Sequence, residues 1–450
     1  MSSKYNNKYE KMTTAPVKGL ISSLAVPTIF TMLVSAVYNT ADSFFVGKID
    51  TSSVASIGIV FSIMTLLQAI GFFLGNGSGI LVSTYLGKKD KDTAKIYSNV
   101  AFFLAIFFGI ILAIFGFLFS DKMSVMLGAT ATTKESASGY LKYILLGSPF
   151  ILGSFVLNNQ LRYQGSAIYS MFGIVSGSII NIALDPLFIF KLNLGVKGAA
   201  IATIIGQAVG FIILIIGTCK GENLRISINA FKPNVRIITD IFKNGLPSLS
   251  RQGIQTIANI CLNFACAPFG DYVIAGMSIF NRLMFISFAV VIGIGQGFQP
   301  VCSFNNGAKK YDRVYEGYKF IIIVGTIFIT IASALEFIFA PQLVTLFRDD
   351  PKVIEIAVKA LRYQCFAMPV LSYSSASNML TQSLKLAGRS TILSLSRQGI
   401  FYIPLILILP RIIGINGIAL SQPIADILTL IITIILTFPV VKRLKKADTN

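Results

Sequence analysis

Twelve apolar stretches, separated by short charged clusters, fill this 450-residue chain and leave it little choice of secondary structure. Their approximate bounds are 18–46, 53–86, 93–119, 138–161, 167–190, 196–218, 240–267, 273–304, 314–339, 354–383, 391–410 and 414–440. Each has about the 20 residues that a helix needs to cross roughly 30 Å of hydrocarbon. Hydrophobic residues make up 54% of the chain, mean hydropathy is +0.74 and only 13% of residues are charged, where a soluble domain carries about 25%. The chain therefore reads as an all-α polytopic membrane protein. No cleavable signal peptide is expected, because the first apolar stretch is too long and has no small-residue cleavage site.

The chain also repeats itself at an offset of 220 residues. Pro27 recurs as Pro247, Gly75, Gly77, Gly87 and Asp92 as Gly295, Gly297, Gly307 and Asp312, Leu141 and Tyr143 as Leu361 and Tyr363, Pro149 as Pro369 and Asn158 as Asn378. After small insertions Gly195 and Gly198 answer to Gly414 and Gly417. Agreement through Gly, Pro, Asp and Asn marks a duplicated unit that fills nearly the whole chain.

Basic residues orient the helices. Clusters at Lys4 to Lys18, Lys88 to Lys95, Arg162, Lys220 to Lys243, Lys309 to Lys319, Lys385 and Arg389, and Lys442 to Lys446 fall on one side, and few basic residues fall on the other. The positive-inside rule makes that side, with both termini, cytoplasmic. The net charge of +19 is then mostly a topology signal, and no nucleic-acid partner is expected. Six crossings return the chain to its starting side, so the halves are parallel repeats: two six-helix lobes around a central cleft, rocking to alternate access. The expected organisation is an N-terminal lobe over 1–219, a cytoplasmic linker over 220–243 and a C-terminal lobe over 244–450.

Enzyme motifs fail. There is no histidine, which removes Ser-His-Asp and Cys-His catalysis and histidine proton relays together. Gly75 to Gly79 has the look of a phosphate loop but lacks its Lys-Ser/Thr pair and lies in an apolar stretch; its small-xxx-small spacing, repeated at Gly293 and Gly297, suits close helix packing. Cys219, Cys261, Cys266, Cys302 and Cys365 have no metal-binding spacing and read as packing residues. The chain is expected to be neither an enzyme nor a cofactor protein.

The informative residues are ionisable groups inside apolar sequence. Asp42 lies in the first stretch and Asp185 in the fifth; a charge at mid-membrane costs about 2.5–3.5 kcal/mol on insertion scales, so such groups mark pathways. The competing reading is that each caps a helix end. Asn181, one turn before Asp185, shares its face and is placed to share a ligand. The second half lacks both acids, with Leu262 at the position of Asp42 and Tyr402 to Leu405 near that of Asp185. Glu336 reads as capping or solvated at an extracellular helix end, and Asp426 as either a packing or a functional group. Arg251, Arg282 and Arg397 are expected to partner carboxylates or lipids, or to snorkel to the cytoplasmic surface.

Several runs carry a resemblance: Ala41-Asp42-Ser43-Phe44-Phe45-Val46-Gly47, Leu184-Asp185-Pro186-Leu187-Phe188-Ile189-Phe190, Gly295-Gln296-Gly297-Phe298-Gln299-Pro300 leading to Gly307-Ala308-Lys309-Lys310-Tyr311, and Ser396-Arg397-Gln398-Gly399-Ile400-Phe401. With them the whole chain resembles the multidrug and toxic compound extrusion (MATE) transporters, in particular the DinF-like, MepA-like bacterial branch. The resemblance implies a cation site at Asp42, Asn181, Asp185 and Thr203, and amphipathic, often cationic drugs as substrates. Another branch places carboxylates in the seventh helix, where this chain has Arg251, Gln252 and Gln255.

The expected function is antiport driven by H+ or Na+, either neutralising the Asp42 and Asp185 pair or held as Na+ by Asp42, Asn181, Asp185 and Thr203. One charge moved down 100 mV yields about 2.3 kcal/mol. Substrate contacts are expected from Tyr38, Asn158, Met171, Phe172, Gln255 and Met284, adaptable aromatic, Met and amide side chains. The protein is expected to act as a monomer in a bacterial cytoplasmic membrane. The alternative is a flippase for a lipid-linked precursor, which would need a cationic cavity that only Arg251, Arg282 and Arg397 could supply.

Overall fold

The computed structural model describes residues 7–49, 51–130 and 132–446, and the side chains of 39–44, 47 and 51–55 lie outside that description. Among the described residues there are helices and turns and no strand. A short α1 (Lys8–Thr14) precedes α2 (Val17–Gly47), α3 (Thr51–Gly87), α4 (Lys91–Met126), α5 (Lys134–Leu146), α6 (Ser148–Tyr163), α7 (Ala167–Pro186) and α8 (Gly195–Cys219). The second half repeats the series with α9 (Val235–Cys266), α10 (Asp271–Gly307), α11 (Tyr311–Ile338), a short α12 (Ala340–Thr345), α13 (Pro351–Ser383), α14 (Ala387–Leu395), α15 (Ile403–Ile413) and α16 (Ile415–Lys446).

Twelve long helical segments result, each overlapping one of the twelve apolar stretches. Among the described residues nine are long and apolar enough to cross a membrane, and the α5–α6 pair, bent by 50°, makes a tenth. The bend falls at Gly147, beside Pro149, which has no N–H for the helical ladder. The other two, α9 and α13, have 32 and 33 residues; their Ser, Gln, Asn and Arg lower the average hydropathy. The segment between the halves is shorter than expected. It contains one 3-10 turn (Ile228–Ala230), and α9 begins at Val235, inside the span read as linker.

Two compact units form, and their boundaries do not follow the midpoint of the sequence. One comprises Phe30–Leu249 with the start of the chain up to Met12; the other comprises Thr13–Ile29 with Ser250 onward. Each half's first long helix therefore begins in one unit and ends in the other. Both change unit two residues past a proline, Pro27 in α2 and Pro247 in α9. Proline deletes one i to i−4 hydrogen bond and crowds the preceding turn, so a helix bends there at low cost.

Glycines let these segments seat closely. A Cβ on Gly77 would lie 2.2 Å from the Ile241 carbonyl oxygen, and one on Gly297 2.6 Å from the Ala25 nitrogen. The Gly75 and Gly79 spacing serves packing as expected, against Asn159 and the Tyr163 ring. In a membrane this van der Waals fit holds helices together, because lipid tails are as apolar as the side chains.

Helical period separates lipid face from core. On α11, Ile323, Ile327, Ile331 and Leu335 are exposed, while Gly317, Ile321, Gly325, Ile329, Ser333 and Glu336 are buried. Glu336 thus continues the inward stripe, which corrects its reading as a solvated end group.

Candidate functional site

A buried polar site of the first unit lies along the seam of α7 and α8. On α7 the buried stripe runs Ser170, Gly173, Gly177, Asn181 and Asp185; on α8 it runs Ala199, Thr203, Gly206, Gly210 and Leu214. Both follow the three-to-four residue spacing of one helix face. Glycines bring the backbones together: a Cβ on Gly177 would stand 2.6 Å from the Gly206 carbonyl oxygen, and one on Gly206 2.6 Å from that of Gly177 and 3.0 Å from the Asn181 Cβ. Asn181 is thereby pressed against Thr203.

The Asn181 amide Nδ2 donates to the Thr203 hydroxyl at 3.2 Å and approaches the Asp185 Oδ1 at 3.5 Å. The Thr203 hydroxyl in turn donates a hydrogen bond to the Ala199 carbonyl, 3.0 Å away. All three side chains are buried. Among the described residues the Asn181 Oδ1 is buried without a hydrogen-bond partner, and a buried acceptor left unpaired costs about 1–3 kcal/mol. After Asp185, Pro186 ends the α-helical ladder and the chain continues as a π-helical turn, Leu187–Lys191; such widened turns cluster at functional sites. Asn181, Asp185 and Thr203 are thus brought together, while the Asp42 side chain lies outside the described residues.

In the second unit the polar seam is a closed ion pair. Arg397, on the π-helical turn Ser396–Tyr402, donates from Nε to the Asp426 Oδ1 at 2.7 Å, and Gln422 donates to the same oxygen at 2.9 Å. Gln364 donates to the Asp426 Oδ2 at 2.7 Å, and the guanidinium lies over the Phe288 ring. Of the three candidate arginines, Arg397 therefore has a carboxylate partner; Arg282 is exposed and Arg251 is half-buried and engaged. Glu336 accepts from the Ser287 hydroxyl, and its other oxygen is buried without a hydrogen bond.

The substrate candidates divide between the units. Tyr38 and Met171 are half-buried and Phe172 exposed in the first. Asn158, also in the first, is occupied in bracing α6 to α7. Gln255 is exposed in the second, with its amide on Asn259. Met284 is buried in the second unit's apolar cluster with Phe280 and Met368.

Arg162 is a residue that sequence reasoning misplaced. Counted among the loop cations, it is buried, with Nη2 donating to Asn76 at 3.1 Å and to Asn159 at 2.6 Å. The signal available was its position one turn after Asn158 and Asn159, at the very end of the apolar stretch and still inside α6.

The MatE family model matches the chain twice, over residues 27–187 and 247–408. The chain belongs to the MatE family. The two matches start 220 residues apart, the offset of the internal repeat, and stop before α8 and α16, so Thr203, Gln422 and Asp426 lie beyond them. Among curated relatives, the multidrug export protein MepA of Staphylococcus haemolyticus is 28% identical over 93% of this chain and 93% of its own length. MepA of Staphylococcus aureus is 28% identical over 96% and 95%. The fold matches a MATE protein crystallised with MaL6, at a TM-score of 0.92 and 24% identity over 98% of this chain and all of that one. A MOP superfamily transporter from Pyrococcus furiosus matches at 0.91 and 24%, over 98% and 100%. This MatE protein is a multi-pass membrane protein, with twelve long helical segments among its described residues.

Proposed function

We propose that this protein exports amphipathic, often cationic small molecules across a bacterial cytoplasmic membrane, by antiport with H+ or Na+. The observation that carries the reading is the buried cluster of Asn181, Asp185 and Thr203 on the α7–α8 seam, in a family whose compared relatives are named multidrug export proteins. All donors that the cluster offers are oxygens, which suit a proton or a hard monovalent cation and not a soft metal. A cation held there would give the Asn181 Oδ1 its missing partner and offset the Asp185 charge, with Asp42 as the second carboxylate.

Binding of such a cation shifts a conformational equilibrium only as far as its affinity differs between states. A neutralised cluster favours one packing of α7 on α8 and an ionised cluster another. Tyr38, Met171, Phe172 and Gln255 remain the proposed substrate contacts, both termini are taken as cytoplasmic because the basic loops favour that side, and the monomer is taken as the working unit. The test is drug efflux from proteoliposomes under proton and sodium gradients imposed separately. Efflux driven by one of them, and lost in Asp185→Asn, supports the reading; efflux indifferent to both gradients overturns it.

A further inference from the structure

The α7–α8 seam has a counterpart in the second unit, where α14, its π-helical turn and α15 precede α16. With the offset that relates Gly195 to Gly414, Thr203 corresponds to Gln422. The geometry agrees: a Cβ on Gly198 would stand 2.7 Å from the Phe188 carbonyl, and one on Gly417 2.5 Å from the Leu409 carbonyl oxygen. In both units a π-helical turn precedes the second helix of the pair.

The two seams differ in how a positive charge is placed. In the first, α7 carries no basic residue, its π-helical turn ends in the exposed Lys191, and α8 carries only Lys197, which stands 4.0 Å from Glu135. In the second, a guanidinium is built in. The Asp426 carboxylate is buried, and each oxygen is doubly engaged, Oδ1 by Arg397 Nε and Gln422, Oδ2 by Gln364 at 2.7 Å and Arg397 Nη2 at 3.4 Å. Arginine stays protonated in proteins, so a fixed positive charge faces the Asp426 carboxylate, and both carboxylate oxygens are already engaged. Beside it, the amide oxygens Gln364 Oε1 and Gln398 Oε1 are buried without hydrogen-bond partners.

We propose that Arg397 is a tethered counter-cation, standing in the second unit where a mobile proton or Na+ stands in the first, and that it thereby confines ion coupling to one unit. The inference rests on the reading of the first-unit cluster given above. Without the guanidinium, the Asp426 carboxylate and the Gln364 and Gln398 amide oxygens would leave a site with one uncompensated negative charge, suited to a monovalent cation from the surrounding water. Arg397 is in this sense a specificity-determining residue, which sets how many cations move in a cycle.

The test counts cations bound by the purified full-length protein, using proton uptake on acidification and equilibrium binding of radioactive Na+. Arg397→Gln should take up about one equivalent of H+ or Na+ more than wild type, and Arg397→Gln with Asp426→Asn should return to the wild-type count. Arg397→Lys, which restores the charge, should also bind as wild type. A purely structural arginine would lower stability without adding an equivalent, and that result overturns the proposal. Asp185→Asn, run in parallel, reports on the first unit alone: no loss of uptake there sinks the cluster reading while leaving the Arg397 comparison readable. Should Arg397→Gln not fold, infrared spectra of wild type and Asp426→Asn decide the matter. A protonated-carboxyl band that disappears in Asp426→Asn shows Asp426 exchanging protons with Arg397 in place, and refutes the assignment.

Discussion

Asn158 and Asn378, 220 residues apart, make the same brace in the two units. The Asn158 amide donates to the Ser170 carbonyl at 3.2 Å and the Ser170 hydroxyl at 2.6 Å; that of Asn378 donates to the Ser390 carbonyl at 3.1 Å and the Ser394 hydroxyl at 2.9 Å. Each ties a helix to the next across a tight connection, and the duplication has kept the tie where it has changed the surrounding chemistry.

Removing either brace should therefore cost similar stability. Asn158→Ala and Asn378→Ala are each expected to lower stability by about 1–3 kcal/mol, the cost of freeing buried backbone and hydroxyl partners. Thermal unfolding in detergent measures it. A loss of drug affinity in Asn158→Ala with an unchanged melting temperature would instead return Asn158 to the substrate contacts.

Asp185→Asn keeps shape and removes charge, so gradient-driven efflux should fall more than tenfold, about 1.4 kcal/mol or more of lost coupling, with the protein still folded. Asp42→Asn should do the same. Glu336→Gln, which keeps an acceptor for Ser287, should reduce efflux far less. If Glu336→Gln is the more damaging change, the coupling carboxylate belongs to the second unit.

Gly177→Ala tests whether backbone contact positions the cluster. The new methyl would meet the Gly206 carbonyl oxygen at 2.6 Å, forcing α7 from α8 and parting Asn181 from Thr203, at a cost of about 1–3 kcal/mol. Gly19→Ala, with nothing within 4 Å, is the control and should be neutral or slightly stabilising. Equal cation responses in the two variants would mean that the seam tolerates separation.

Lys8 makes the docking of α1 depend on pH. Its ammonium donates to the Ser166 hydroxyl at 2.9 Å and Asn223 Oδ1 at 2.6 Å. Burial, opposed by Glu222 and reinforced by Lys11 and Lys91, brings its pKa down from 10.5 to about 7. Between those two values the undocked segment binds more protons than the docked one, so docking strengthens as pH rises from 7 and the burial cost is fully present below it. Amide exchange of Lys8–Thr14, corrected for its intrinsic pH dependence, should slow from neutral to alkaline pH, and Lys8→Met should flatten the response. A wild-type profile already flat over that range excludes the mechanism.

Much of this architecture is written locally. Helix number follows from apolar length, because an unbonded backbone group in hydrocarbon costs several kcal/mol, and inward faces follow from helical period, as with Asn181 and Asp185 on α7 or Ser333 and Glu336 on α11. The duplication, and the unequal acids within it, are likewise visible in the letters. What the sequence alone left open is which face meets which. Arg397 and Asp426 are 29 residues apart, and Lys8 and Asn223 215; no local pattern pairs them. Arg162 looks like a loop cation until Asn76, from a distant helix, closes over it. The exchange of Thr13–Ile29 and residues 235–249 between units is also a tertiary outcome. A proline marks where a helix can bend, but only the fit of Gly77 on Ile241 and of Gly297 on Ala25 decides where the parts of α9 and α2 pack.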